Sequence, residues 1–303
     1  MKGGEKMKKI LLSLVSIGAA GVIAFGATQA FFSDTETSTG NILQAGALDL
    51  KIDNTCYYNG VACVNGFWGG NVGIDGSGRC DCTWTSKDLG AGDVFFNFAD
   101  LKPGDWEEDT ISLHVNNPSW VCAKARLTKD DDFSCTEPEL LDDPSCTDPG
   151  ASGNANAFDG ELAQNLNFVF WYDDGDNVLE ENEVEGIIRQ GQGPATSVLG
   201  ASWPIADAST GDGPIPAGRD VFIGKAFCYG TLGLNPVTQG DNNSPVGPIT
   251  NSGITCDGEP VDNASQTDIA TGDIVFEAVQ ARHNDGFLCN PPASPSPSPS
   301  PSG

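Results

Sequence analysis

The chain opens on an apolar segment, and all ten of its cysteines come after it. Lys8 and Lys9 precede a run from Ile10 to Gly26 rich in aliphatic and small residues, and Thr28-Gln29-Ala30 sets small side chains where a signal peptidase reads them. This is the layout of a secretory signal, with cleavage between Ala30 and Phe31. A retained anchor is the competing reading, because the run nearly reaches the length that spans about 30 Å of hydrocarbon. The polar segment that follows, without stop-transfer charges, favours cleavage. An exported chain folds where thiols oxidise, so an even cysteine count predicts disulfides. The candidates are Cys56, Cys63, Cys80, Cys82, Cys122, Cys135, Cys146, Cys228, Cys256 and Cys289. Cys80 and Cys82, one residue apart, should bond to different partners, whereas Cys135 with Cys146 is the expected local bridge. The remaining pairing is open. Zinc is the alternative, but the chain has no CxxC pair and only two histidines.

Charge narrows the function. Acidic residues number 42 against 15 basic ones, a net charge of −27, and loss of residues 1–30 removes four Lys and one Glu, leaving the chain more acidic still. Such a surface repels phosphate backbones and anionic lipid, which excludes nucleic acid as a partner. It suits a secreted protein, extracellular or at the cell surface, with no membrane span once the signal is cut, and it can collect divalent cations.

The apolar residues mostly recur with period two. In Ala47 to Asp53, Leu48, Leu50 and Ile52 face one way and Asp49, Lys51 and Asp53 the other, which is a half-buried strand. Thr110 to Asn116 repeats this with Ile111, Leu113 and Val115 inward and His114 outward in solvent. Val121 to Thr128 and Asn165 to Tyr172 follow, the latter with Leu166, Phe168 and Phe170 inward and Trp171 opposite. Val94 to Phe98, Glu185 to Gln190 and Asp220 to Tyr229 are further strand candidates. Thr271 to Arg282, apolar on both faces, fits a central strand. With turn residues about every ten positions, the pattern predicts an all-β, jelly-roll-like antiparallel sandwich. Residues 46–290 form that domain, with disulfide-stapled insertions at about 54–92, 129–160 and 230–270, and 191–218 as a long loop. Trp68 and Trp84 are expected to cover a small core of the first insertion rather than to contact glycans, and 137–141 to make one helical turn. Residues 31–45 are a polar N-terminal segment, and 291–303 a Pro/Ser-rich, extended tail.

One constellation has site-like chemistry. Asp173, Asp174, Asp176 and Asn177 fall within five residues, with Glu180 and Glu183 close behind. Calcium takes six to eight oxygens from such groups on a tight loop. The spacing is not that of an EF-hand, since Gly175 falls at its third position and Val184 at its twelfth. An acidic turn without metal is the alternative.

Several blocks stand in a recognisable order. Phe31-Phe32-Ser33-Asp34-Thr35-Glu36, Thr39-Gly40-Asn41 and Ala45-Gly46-Ala47-Leu48-Asp49-Leu50 are followed by Leu101-Lys102-Pro103-Gly104-Asp105 and Phe276-Glu277-Ala278-Val279-Gln280. In these blocks the chain resembles the TasA/camelysin family of exported fibre and biofilm-matrix proteins, although its cysteines depart from that family's cysteine-poor pattern. The resemblance implies a structural, non-enzymatic subunit whose partners are copies of itself or related matrix subunits. It also implies assembly by donation of the N-terminal segment, with Phe31, Phe32, Ile42 and Leu43 as the donated apolar groups, to a neighbour's open sheet edge. A monomeric adhesin binding calcium or glycans is the main alternative. The camelysin branch also raises a metalloprotease, but HExxH and GxSxG are absent, and His114 and His283 stand on separate segments.

Overall fold

Period-two strands each bury one face, and two sheets close over those faces. The computed structural model describes residues 33–37 (backbone only), 48–69, 78–90, 92–148, 158–238, 248–249 and 251–292. The leader, its Ala30–Phe31 junction, the expected donor residues Phe31, Phe32, Ile42 and Leu43, and residues 293–303 lie outside the described residues.

In chain order the strands are β1 (Ser33–Thr37), β2 (Leu50–Tyr58), β3 (Val61–Val64), β4 (Phe67–Trp68), β5 (Trp84–Lys87), β6 (Trp106–Val115) and β7 (Ser119–Asp131). After them come β8 (Leu166–Asp173), β9 (Gly193–Pro194), β10 (Ser202–Ala206), β11 (Asp220–Tyr229), β12 (Thr231–Leu234), β13 (Ile254–Asp257) and β14 (Ile269–Gln280). Three four-residue helices, α1 (Glu139–Asp142), α2 (Leu162–Asn165) and α3 (Ala195–Val198), sit in the connections. One sheet has the order β1-β14-β7-β10 and the other β4-β3-β2-β6-β11-β8-β9, with β5 also on β2 and β12-β13 as a separate hairpin. Every strand pairing is antiparallel, and the sheets pack as a jelly-roll-like sandwich.

The core takes in the residues that the alternation of β2, β6, β7 and β8 turned inward and adds others, Trp203 and Phe95 among them. Leu50, Ile52, Ile111, Leu113, Phe168, Phe170, Ile223 and Phe227 of the larger sheet join Val121, Ala123, Trp203, Ile274, Phe276 and Ala278 of the smaller in one buried cluster. β14 is central, as expected, between β1 and β7. The outer face of the larger sheet is also covered: Val169, Trp171, Leu179, Ala226 and Ile254 form a second buried cluster there. Trp171 lies across the backbone of Gly224, where a Cβ would run into the indole ring.

All ten cysteines are paired: Cys56–Cys82, Cys63–Cys80, Cys122–Cys289, Cys135–Cys146 and Cys228–Cys256. The first two staple the 54–92 insertion around a small core of Tyr58 and Trp68, while Trp84 packs on Phe95 with ring centroids 5.3 Å apart. Asn59 and Gly60, both at positive φ, turn β2 into β3 in the manner of a two-residue hairpin. Cys228–Cys256 ties the β12–β13 hairpin to β11, and Cys122–Cys289 pins the end of the domain to β7. Among the described residues no helix is long and apolar enough to cross a membrane. The disulfides indicate an oxidising compartment.

Four expectations are corrected. Val94 to Phe98 is not a strand but a loop that drops Phe95 into the core. Glu185 to Gln190 forms two 3₁₀ turns, Val184–Gly186 and Arg189–Gly191, because Ile187 makes only a single bridge, to Trp171. The 191–218 loop contains β10, an edge strand whose Trp203 is buried; Pro204 is tolerated because an edge leaves some amides without a ladder partner. His114 is not simply solvated: its ring nitrogens lie 2.6 Å from Asp53 and 2.6 Å from Asp220. Burial opposes its charge, but the two carboxylates outweigh that and raise its pKa.

Gly224→Ala should therefore destabilise the protein by about 1–3 kcal/mol, the usual range for an overpacked site. Denaturant unfolding of both proteins checks this, and an unchanged midpoint would contradict the packing of Trp171 on β11.

Candidate cation site

β8 ends in a carboxylate that organises the turn after it. Asp173 Oδ2 accepts from the backbone N–H groups of Gly175 (3.0 Å) and Asn177 (3.2 Å), and both of those residues have positive φ. Asp176 Oδ1 then accepts from Val178 N, and Glu183 Oε2 from Glu180 N. The loop is clamped from outside. Leu179 N donates to Ser252 O, Val237 N to Leu179 O, and Glu181 N to Val237 O. Val178 and Leu179 are buried by this, which holds the acidic residues against the outer face of the larger sheet.

The structure brings Asp173, Asp174 and Glu183 together, with candidate ligand oxygens within 4.8 Å of one another. Asn177 and Glu180 are buried beside them, Asp176 is half-buried, and Asp174 is exposed. Oxygens at this site are left without hydrogen-bond donors: Asp173 Oδ1, Asp176 Oδ2 and Asn177 Oδ1. Burial, and then the neighbouring carboxylates, push Asp176 up to about 6. Asp173 also reaches about 6 through burial, against the pull of its two backbone hydrogen bonds. Glu183 is raised as well, burial being the main cause.

Sequence reasoning missed Glu108. It lies on β6, fully buried, and shares a strand face with Thr110, whose hydroxyl reaches Asp173 Oδ2 at 3.4 Å. Neither Glu108 oxygen accepts an aligned hydrogen bond. Burial raises its pKa well above the usual carboxylate range, and the Asp109 and Asp173 charges add to that. The nearby Ser252 hydroxyl offsets part of the rise, although it falls short of hydrogen-bond alignment. The one hint in the sequence is the row Glu107-Glu108-Asp109 directly before an alternating strand.

A second acidic nest, equally unforeseen, holds the 129–160 insertion together. Asp132 lies within 4.8 Å of Glu139 and Asp268, and also of Asp143 and Glu161. Backbone amides fix the ring: Thr147 N donates to Asp132, Glu161 N and Leu162 N to Asp268, and Thr136 N to Glu139. Asp132 Oδ1, Glu161 Oε2 and Asp268 Oδ1 remain without donors. Burial first, then neighbouring carboxylates, push Glu161 up to about 7, and burial is likewise the main cause that takes Asp268 to about 7. Cys135 and Cys146 border the nest, but their sulfurs are spent on each other.

Both nests offer oxygen and no free thiolate or imidazole among the residues named, a donor set for a hard cation such as calcium rather than for zinc. Buried carboxylates repel one another unless a proton or a cation stands between them. No protein-family model matches the chain, and no curated protein matches it either.

In chelator, these raised carboxyls bind protons more tightly folded than unfolded. Their contribution to stability should be full at or below the ordinary carboxylate value of about 4 and be lost as pH climbs through 6 and 7. Calcium should raise the melting temperature at pH 7.5 and much less at pH 5. The gain should shrink in Asp173→Asn combined with Glu183→Gln. Calorimetric scans with EDTA or calcium test this; identical melting at pH 7.5 would remove the cation from both nests.

Proposed function

We propose that the chain is an exported structural subunit, built into an extracellular fibre or surface matrix by exchange of its N-terminal strand between copies. The observation that carries this is β1. It adds to the edge of β14 in a five-residue antiparallel register, Ser33 opposite Val279 through Thr37 opposite Val275. Main-chain hydrogen bonds of that kind are indifferent to which copy supplies the strand. Every disulfide bonds residues elsewhere, so β1 is not covalently stapled, whereas β7 is anchored through Cys122–Cys289. Withdrawal of β1 opens the edge of β14, a template for another strand. The family resemblance of the leader and of the Leu101–Asp105 and Phe276–Gln280 blocks points the same way, to partners that are copies of this chain or related subunits.

A second reading is a monomeric adhesin that binds calcium or glycans; the two acidic nests favour its calcium form. The two readings are compatible in their chemistry, since cations that rigidify the loops leave the β14 edge untouched. The metalloprotease reading has the least support. His114 is engaged by Asp53 and Asp220, and His283 is exposed just beyond β14.

Negative-stain microscopy of the processed protein should show filaments. Deletion of residues 31–44 should leave particles that no longer elongate but bind a synthetic peptide of residues 31–45. Monodisperse full-length particles that neither elongate nor exchange a labelled peptide would overturn the assembly.

A further inference from the structure

The least expected chemistry lies between the sheets. Lys225 on β11 stands directly opposite Asp109 on β6, two residues from Glu107, and the side chains of all three are 0% exposed. Lys225 Nζ lies 2.7 Å from Glu107 Oε2 in an aligned hydrogen bond. It also lies 2.9 Å from Asp109 Oδ1, yet that oxygen receives no aligned hydrogen bond. The contact is therefore close without the geometry of simple donation. Asp109 Oδ2 accepts from Asn54 Nδ2 at 3.1 Å, and the same nitrogen is fixed by Cys82 O at 2.7 Å. The rings of Phe96 and Phe227 close the site, 5.7 and 5.8 Å from Nζ.

We propose that Lys225 and Asp109 join in an intramolecular isopeptide bond, with Glu107 as the proton carrier and Asn54 as the donor to the developing oxyanion. One ammonium cannot neutralise two buried carboxylates, so Glu107 keeps a proton. Burial, reinforced by the Asp109 charge, raises its pKa well above the usual range. In the ion pair Nζ bears three protons. One passes through Glu107 to Asp109 Oδ1, leaving a neutral amine beside a neutral acid. The amine lone pair attacks Asp109 Cγ, the Nζ–Cγ bond forms, and the carbonyl electron pair moves onto Oδ2, where Asn54 donates. Glu107 takes a second proton from Nζ and delivers it to Oδ1. The Cγ–Oδ1 bond breaks, and water leaves carrying both protons. The products are a neutral amide and one water, so atoms and charge balance with no oxidant or co-reactant.

The site supplies what this step requires. Burial favours the neutral amine, but the Asp109 and Glu107 charges outweigh it and raise the Lys225 pKa, so the nucleophile is released only as its proton passes to Asp109. A protonated glutamic acid in contact with the reacting nitrogen is the general acid and base, and fixed strands replace a bimolecular encounter. Glu107 is the carrier rather than the acceptor because its aligned hydrogen bond keeps Nζ along a lone pair. Asp109 offers the close unaligned contact and a second oxygen already polarised. The bond welds β6 to β11 in the middle of the larger sheet, and it does not depend on whether the chain polymerises.

Mass spectrometry of the purified, disulfide-reduced protein decides the matter without any variant. The intact mass should be one water lower than that of the sequence counted from its measured N-terminus. Digestion should yield a branched peptide joining Lys225 to Asp109. Glu107→Gln, folded by circular dichroism, should show the full mass and separate peptides. A wild-type mass equal to the sequence, or a branch from Lys225 to Glu107, would overturn the proposal; if the variant does not fold, the wild-type measurement still decides.

Discussion

Glu107, Glu108 and Asp109 run consecutively through the middle of a sheet, and none reaches water. That constraint shapes much of what surrounds β6. Alternation sends Glu107 and Asp109 into the space between the sheets and Glu108 to the outer face, so the same row of charge must be answered on both sides. Inside, the answer is Lys225, itself buried and ringed by phenylalanines. Outside, it is a roof in which the acidic loop after β8 and the β12–β13 hairpin meet over Trp171 and Leu179.

A chain with so much negative charge and so few cations cannot rely on ion pairs to fix its loops. Disulfides and backbone amides do that work here. The first insertion is closed by Cys56–Cys82 and Cys63–Cys80 around a few aromatic rings. The 129–160 insertion has almost no apolar content to bury, and carboxylates capped by main-chain N–H groups take the place of a core. Covalent closure limits the unfolded chain, which matters most where burial is scarce.

The parts of the fold that follow period two were legible. Leu50 and Ile52, Ile111 and Leu113, and Phe168 and Phe170 took the faces their spacing required, and the pairing of Cys135 with Cys146 followed from proximity along the chain. The failures share a cause, since local patterning carries no information about what lies across the sheet. Phe95 enters the core from a loop, and β10 hides behind Trp203-Pro204. The acidic cluster around Asp173 was visible because its members are neighbours in sequence. Glu108 and the nest at Asp132 assemble from distant segments, and Lys225 is a single polar residue in an apolar stretch whose partners lie on another strand.

The geometry of β1 has a mechanical consequence. Because it runs antiparallel along β14 over five register positions, tension applied along its axis loads those positions together, in shear. Force applied across the sheet would instead part them one at a time. An assembly joined through this strand would thus resist stretching far better than peeling, and its weakest direction would be sideways.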